Sequence, residues 1–116
     1  QIGGFYGATT HGNNMAVLIP HILEFNAPAI PDERISRLCQ ALHKKAAGKA
    51  KGVEVIAGTI ADLASNLGIP SSLKEIGVRP EDIEELSQNA LKDVVGFTNP
   101  RKPTLEDAIN LYRAAM

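Results

Sequence analysis

Histidines are the side chains of this 116-residue sequence with the most obvious chemistry, and there are three of them. His11 follows a glycine-rich segment and precedes a long apolar run, so its imidazole is expected at a loop–helix junction. A rigid helix start can hold a metal ligand in place while the adjacent loop leaves a coordination position open. From spacing alone, however, a surface or helix-capping histidine is the more common explanation of such a residue.

The other two histidines do not complete a chelating set with His11. His21 follows ten residues later on the same predicted helix, a rise of about 15 Å at about 1.5 Å per residue. Two ligands of one ion cannot be that far apart. We expect the ring of His21 to be satisfied by a neighbouring carbonyl, and His43 to be solvated at the rim of the next helix. No pair has the i, i+4 spacing of helical metal motifs.

Other reactive groups have structural explanations. The single cysteine, Cys39, lies on an apolar stripe and is expected in the core; it cannot form an internal disulfide, which fits a reducing, cytoplasmic location. Gly3-Gly4 lacks the spacing of nucleotide-binding glycine motifs. Pairs of acidic residues open predicted helices, as the helix dipole favours. These pairs are Asp32-Glu33, Glu81-Asp82 and Glu106-Asp107.

Composition narrows the class of protein. The formal net charge is -1 and there is no basic run, so nucleic acid and anionic membranes are poor candidates for a partner. The content of 44% apolar and 22% charged residues is typical of a globular chain, and the length predicts one domain with one sizeable core. The longest apolar run, residues 15–22, contains Pro20 and His21 and is too short to span a bilayer.

Apolar residues at three- and four-residue steps predict an all-α fold, a bundle of five to six helices. The rival strand "GVEVIAG" is outweighed by a helical stripe that continues to Leu67. Residues 1–10 and 95–103 are predicted as loops. Gly68 and Gly77 are expected to end helical segments, and Thr104 is expected to start one with a capping box. The stripes are Ile35, Leu38, Cys39, Leu42, Ala46; Val53, Ile56, Ile60, Leu63, Ala64, Leu67; Ile83, Leu86, Ala90, Leu91, Val94; and Leu105, Ala108, Ile109, Tyr112.

Three stretches together resemble one family. "GGFYGATTHGNNMAVLIPHILEFN" resembles the metal-site stretch of the iron-containing (group III) alcohol dehydrogenases, and "LGIPSSLKEIGV" and "NPRKPTLEDAINLYRAAM" are similar to later stretches in the same order. The "HG" followed by an apolar helix with "LIPH" is the most specific part. The resemblance implies that residues 1–116 are the single all-helical C-terminal domain of a dehydroquinate synthase-like enzyme, without its N-terminal nucleotide-binding domain.

The resemblance also implies site residues. In the family an aspartate and three histidines hold a divalent metal, and His11 matches the last of these ligands; the others would precede Gln1. Two departures leave the aim of His11 open: Thr10 stands where the family commonly has proline, and "GATT" is one residue longer than usual. Val95 and Phe97, in "VVGFTNPR", are candidate walls of the substrate pocket, although a packing role explains both equally well.

The implied function is interconversion of alcohols with aldehydes or ketones by hydride transfer, with Fe2+ or Zn2+ and NAD(P) as cofactors. The implied partners are a small alcohol or aldehyde, the chain's own nucleotide-binding domain and further copies in a homo-oligomer. The isolated 116 residues are expected to be inactive and to bind neither cofactor tightly. They are also expected to self-associate through exposed apolar surface. The alternatives are a stand-alone helical interaction module and a domain of a metal-free, maleylacetate-type reductase.

Overall fold

The computed structural model describes residues 1–7 and 9–116. Every regular element in these ranges is helical, which confirms the all-α prediction and the expected five to six helices. The helices are α1 (Ile2–Tyr6), α2 (His11–Asn26), α3 (Asp32–Ala41), α4 (Lys49–Asn66), α5 (Ile83–Lys92) and α6 (Leu105–Ala114), with 3-10 turns at Ala27–Ala29, Pro80–Asp82 and Val94–Thr98. None of the described helices is both long and apolar enough to cross a lipid bilayer.

Helix α2 is the central element, and it packs against α1, α4 and α6. It is apolar on nearly every side, as expected of a helix surrounded by other elements, and it continues through Pro20. Buried side chains form two clusters rather than the single core that the length predicts. The first contains Ile2, Val17, Leu73, Val78, Ile83, Leu86, Tyr112 and Ala115, and the second contains Ile35, Cys39, Val53 and Ile56. Helix α2 contacts both, with Leu18 against the first cluster and Leu23 against the second.

The predicted loop at residues 1–10 is wrong in its first part, because Ile2–Tyr6 forms helix α1. The amide of Phe5 donates to the carbonyl of Gln1 at 3.0 Å, and Ile2 is 3% exposed within the first cluster. Burial of this side chain outweighs the low helix propensity of the two glycines beside it. The helix ends at Gly7, whose φ of 58° is easy only for glycine.

The predicted glycine at the end of α4 and the predicted start of α6 are confirmed. Gly68 and Gly77 have φ values of 70° and 91°, and each is followed by an amide that donates back to a carbonyl five residues earlier. Thr104 and Asp107 form the capping box at the start of α6. The segment that Gly77 closes, residues 71–77, is a series of turns rather than a regular helix.

The predicted stripes are only partly buried. Helical periodicity identifies which side chains share a face, but it does not show whether another element covers that face. Leu63 and Leu67, at the end of the α4 stripe, are 60% and 67% exposed. Leu38 on α3 and Leu91 on α5 are also exposed.

Close packing of α3 on α4 depends on Gly52. A Cβ atom added there would lie 2.5 Å from Cγ2 of Ile35, which is itself buried. We expect Gly52→Ala to lower the free energy of unfolding by up to about 2 kcal/mol. This is the difference between an overpacking cost of about 1–3 kcal/mol and the roughly 1 kcal/mol that alanine gains over glycine within a helix. Urea denaturation of the two proteins measures the difference.

Gly58 supplies the matched control, because it lies in the same helix, is exposed and has nothing within 4 Å of an added Cβ. Gly58→Ala is expected to raise the free energy of unfolding by about 0.5–1 kcal/mol. If both alanine variants are more stable than the original chain, the contact with Ile35 does not limit the packing of α3 on α4.

Candidate metal and substrate site

His11 is the first residue of α2, and its side chain is exposed at the surface. Thr10 caps this helix, and its Oγ1 accepts a hydrogen bond from the backbone N–H of Asn13 at 3.3 Å. Threonine at this position therefore starts the helix well, although the resembling family commonly has proline there. His11 thus extends from the first turn of a capped helix, and it belongs to neither of the two apolar clusters.

Asn14, one turn beyond His11 in α2, makes a side-chain contact with Thr9, which precedes the helix cap. Its side chain is buried, and its Nδ2 donates to Oγ1 of Thr9 at 3.1 Å. Its Oδ1 atom is buried without a hydrogen-bond partner among the described residues. The longer "GATT" loop includes Ala8, which lies outside the described residues, so its effect on the aim of His11 stays a prediction.

A three-residue clasp holds α1 against the turn before α5. The hydroxyl of Tyr6 donates to Oδ2 of Asp82 and accepts from the backbone N–H of Arg79 at 3.0 Å. The Arg79 guanidinium donates to both carboxylate oxygens of Asp82, at 2.8 and 3.0 Å. The hydrogen bonds from Arg79 and, as a smaller contribution, the one from Tyr6 hold the pKa of Asp82 below its ordinary value of 3.8. The clasp fixes the end of α1, five residues before His11.

The lowered pKa of Asp82 predicts an acid-sensitive contribution to stability. A carboxyl whose pKa is lower in the folded state stabilises the fold above its unfolded pKa, and this contribution is lost as the pH falls through the folded pKa. We expect the difference in unfolding free energy between the original chain and Asp82→Asn to be constant above about pH 5. It should shrink as the pH falls below 3.8.

Denaturation curves at a series of pH values measure this difference. Asp62→Asn, which changes an exposed carboxylate on α4 outside the clasp, is the matched control for removal of a surface charge. A difference for Asp82→Asn that stays constant down to pH values well below 3.8 would show that the clasp does not act through the carboxylate.

The two candidate wall residues lie in the 3-10 turn at Val94–Thr98, within the segment predicted as loop. Asp93 caps this turn by accepting from the N–H of Val95 at 3.2 Å. Val95 is 71% exposed and Phe97 is 83% exposed. Phe97 borders a cavity of about 150 Å³ beneath the turn, whereas neither Val95 nor His11 is among its lining residues. The structure thus presents both side chains at the surface but does not join them to His11 in one cavity.

Residues 99–101 fasten this turn to the last turn of α2. Asn26 and Asn99 exchange two side-chain hydrogen bonds, at 2.9 and 2.8 Å. Nη1 of Arg101 donates to the carbonyl of Phe25 at 3.0 Å, and its guanidinium lies 4.1 Å from the centre of the Phe25 ring. We call this group of four residues the α2 clamp.

The remaining candidates take the following positions. Cys39 is buried beside Gly52, as predicted for a core residue, and His43 is exposed at the end of α3, as predicted for a solvated residue. His21 is half-buried in a shallow groove with Glu24 and Asn110, and the expected carbonyl partner is not found among the described residues. Over residues 1–7 and 9–116 no group of three or more histidine, cysteine or acidic side chains is arranged to hold a metal ion.

The described residues form an all-helical unit with an exposed imidazole at the start of its central helix. Residues 1–116 match the model of the Fe-containing alcohol dehydrogenase family, C-terminal. The chain therefore belongs to this family and corresponds to its C-terminal part.

Individual relatives agree with this assignment. The chain is 39% identical over 116 residues to lactaldehyde reductase of Escherichia coli (strain K12), which covers 98% of this chain and 30% of the relative. It is 35% identical over 118 residues to NAD-dependent methanol dehydrogenase of Bacillus methanolicus, covering 100% of this chain and 30% of the relative. The solved alcohol dehydrogenase from Oenococcus oeni superposes with a TM-score of 0.92 at 35% identity, over 99% of this chain and 30% of that structure. The chain thus spans about 30% of the length of the relatives it matches.

Two groups of positioning residues were missed by sequence reasoning. The Tyr6–Asp82 contact joins residues 76 positions apart, and the Asn26–Asn99 contact joins residues 73 apart. One part of the clasp, the ion pair of Arg79 with Asp82, has a signal in the sequence. Oppositely charged residues three positions apart in a helical turn often form an ion pair.

Proposed function

We propose that residues 1–116 form a single helical domain of an NAD(P)-dependent alcohol dehydrogenase that interconverts small alcohols with aldehydes or ketones. His11 is proposed as one ligand of a divalent ion, Fe2+ or Zn2+. Val95 and Phe97 are proposed as part of the wall of the substrate pocket. The observation that carries the proposal is the family match over the full 116 residues, with His11 exposed at the start of α2.

This chain is proposed to supply one ligand of the divalent ion, the imidazole of His11. An imidazole nitrogen is a ligand that both iron and zinc accept. His11 offers one from a capped helix start, with the preceding loop fastened by the contact of Asn14 with Thr9. One imidazole does not hold an ion alone, so the other ligands are proposed to come from the rest of the polypeptide, as the length of the relatives allows.

The rest of the polypeptide is also proposed as the partner of this chain, together with further copies in a homo-oligomer. Leu63, Leu67 and Val94 are at least 60% exposed. Apolar side chains of this size are often covered in a complete assembly. The proposed partner includes a nucleotide-binding domain, and the name of the methanol dehydrogenase relative supports NAD as its ligand.

When bound, the divalent ion supplies polarisation of the substrate oxygen, and the nicotinamide supplies the hydride donor or acceptor. This chain's own residues contribute positioning and exclusion of water. The cap at Thr10 gives the first turn of α2 a defined start, and the exposed His11 side chain projects from this turn. Val95 and Phe97 present apolar surface against which the carbon chain of a substrate can pack.

Purification of the full polypeptide that carries these residues tests the proposal. We expect it to retain a divalent ion, measured by plasma mass spectrometry. We also expect it to oxidise NADH or NADPH when given an aldehyde such as propanal. A full polypeptide that reduces no aldehyde or ketone overturns the proposal.

The same measurements separate the two alternatives. A metal-free reductase would keep its activity after dialysis against a chelator and would be unaffected by replacement of His11. A stand-alone interaction module would reduce no carbonyl compound and would require no nicotinamide-binding part.

A further inference from the structure

We infer that Asn99 and Arg101 are positioning residues that set substrate-length preference, because the α2 clamp fixes the turn of Val95 and Phe97 relative to α2. The inference rests on the proposed function of that turn as a pocket wall. It concerns the residues that attach the turn to the rest of the fold.

The turn at residues 94–98 has little apolar burial to hold it. Its three apolar side chains are all more than 70% exposed. Its internal hydrogen bonds give it shape, since the N–H of Gly96 donates to the carbonyl of Asp93 at 3.0 Å and Oγ1 of Thr98 donates to the carbonyl of Val95 at 3.0 Å. These bonds lie within the turn, so they do not fix its place against the helices.

Attachment to α2 comes from the paired amides. Asn26 is buried, and its side-chain amide both donates to and accepts from Asn99. Nδ2 of Asn99 also donates to the carbonyl of Arg101, which holds the chain after the turn in place. Loss of one amide leaves the polar groups of the other unpaired in a partly buried place, so the pair acts as a unit.

Arg101 adds a second attachment at the same end of α2. Its guanidinium donates to the carbonyl of Phe25, which lies in the last turn of the helix, and stacks on the ring of Phe25. A planar guanidinium makes both contacts at once, whereas a lysine ammonium cannot. At the opposite end of the turn, Nε2 of Gln1 donates an exposed hydrogen bond to Oδ2 of Asp93 at 2.9 Å, and the N–H of Asp93 donates to the carbonyl of Ala90 at 3.3 Å. The α2 clamp, by contrast, includes the buried side-chain amide of Asn26.

The test compares KM for a long and a short linear aldehyde, octanal and propanal, in the full polypeptide. A displaced wall loses contact with the far carbons of octanal but not with propanal. We expect Asn99→Ala to raise the ratio of the octanal KM to the propanal KM about tenfold, as typical for loss of an apolar contact to one or more methylenes. Asn26→Ala and the double variant should give the same ratio as Asn99→Ala, because the two amides act as one unit.

Controls and a milder variant keep the result interpretable. Gly52→Ala weakens the packing of α3 on α4, away from the clamp, and should leave the KM ratio unchanged. Arg101→Lys keeps the charge and should raise the ratio less than Asn99→Ala does. Hydrogen exchange at the backbone amides of Gly96 and residue 99 should become faster in Asn99→Ala and Asn26→Ala, independently of any activity.

The outcomes separate this inference from the proposed function. An active polypeptide in which the clamp variants lower kcat equally for both aldehydes, or leave the KM ratio unchanged, overturns the inference alone. An original polypeptide that reduces neither aldehyde overturns the proposed function and this inference with it.

Discussion

Replacement of Leu86 by alanine is expected to lower the free energy of unfolding by about 2–5 kcal/mol, the cost of deleting a fully buried leucine side chain. Leu86 is 0% exposed and lies in the first cluster with Val17 and Tyr112, where α2, α5 and α6 meet. A loss of this size is a large part of the total stability of about 5–15 kcal/mol typical of a globular protein. Guanidinium denaturation, with comparison of midpoints and slopes, measures it.

The matched control removes the same atoms from an exposed site. Leu63 on α4 is 60% exposed, so Leu63→Ala is expected to change the free energy of unfolding by no more than about 0.5 kcal/mol in the 116-residue chain. Equal effects of the two substitutions would mean that the first cluster is not packed as described.

Replacement of His11 by alanine is expected to have the largest effect on metal retention. In the full polypeptide it should lower metal affinity by more than the roughly 10–100-fold typical of removing a group that only orients a ligand. Dialysis against graded chelator concentrations, followed by plasma mass spectrometry, measures the retained ion. The unfolding midpoint of the metal-free variant should match that of the metal-free original, because His11 lies outside both apolar clusters.

The other two histidines provide the controls for this experiment. His43→Ala removes an exposed imidazole at the end of α3, and His21→Ala removes a half-buried imidazole further along α2. Neither should change metal retention. If His11→Ala retains as much metal as these two variants, His11 is not a ligand.

The sequence predicts the longer helices well, because their signals are local. A stripe at helical spacing, a C-terminal glycine such as Gly68 and the capping box at Thr104 each act within a few residues. Helix α1 was missed for the opposite reason. Its two glycines oppose a helix locally, and its formation depends on burial of Ile2 against residues far along the chain.

In the candidate site, too, the local features follow from the sequence and the long-range contacts do not. The place of His11 at a helix start follows from the residues on either side of it. The clasp of Tyr6 and the α2 clamp do not, because each joins side chains more than 70 positions apart. Such pairs become neighbours only after α2, α5 and α6 have packed together. The sequence does not show which apolar side chains are exposed, since Leu63 and Leu67 belong to the α4 stripe and yet no described element covers them.

Side chains of helix α2 pack against both clusters of buried residues. Unfolding of either cluster would therefore expose part of α2. Separation of α3 and α4 from the fold would expose the side of α2 that packs against α4, while the other side of α2 still packs against α6. Because the two apolar clusters share this helix, we expect them to unfold together in one cooperative transition. Proteases would accordingly find few partly opened intermediates to attack.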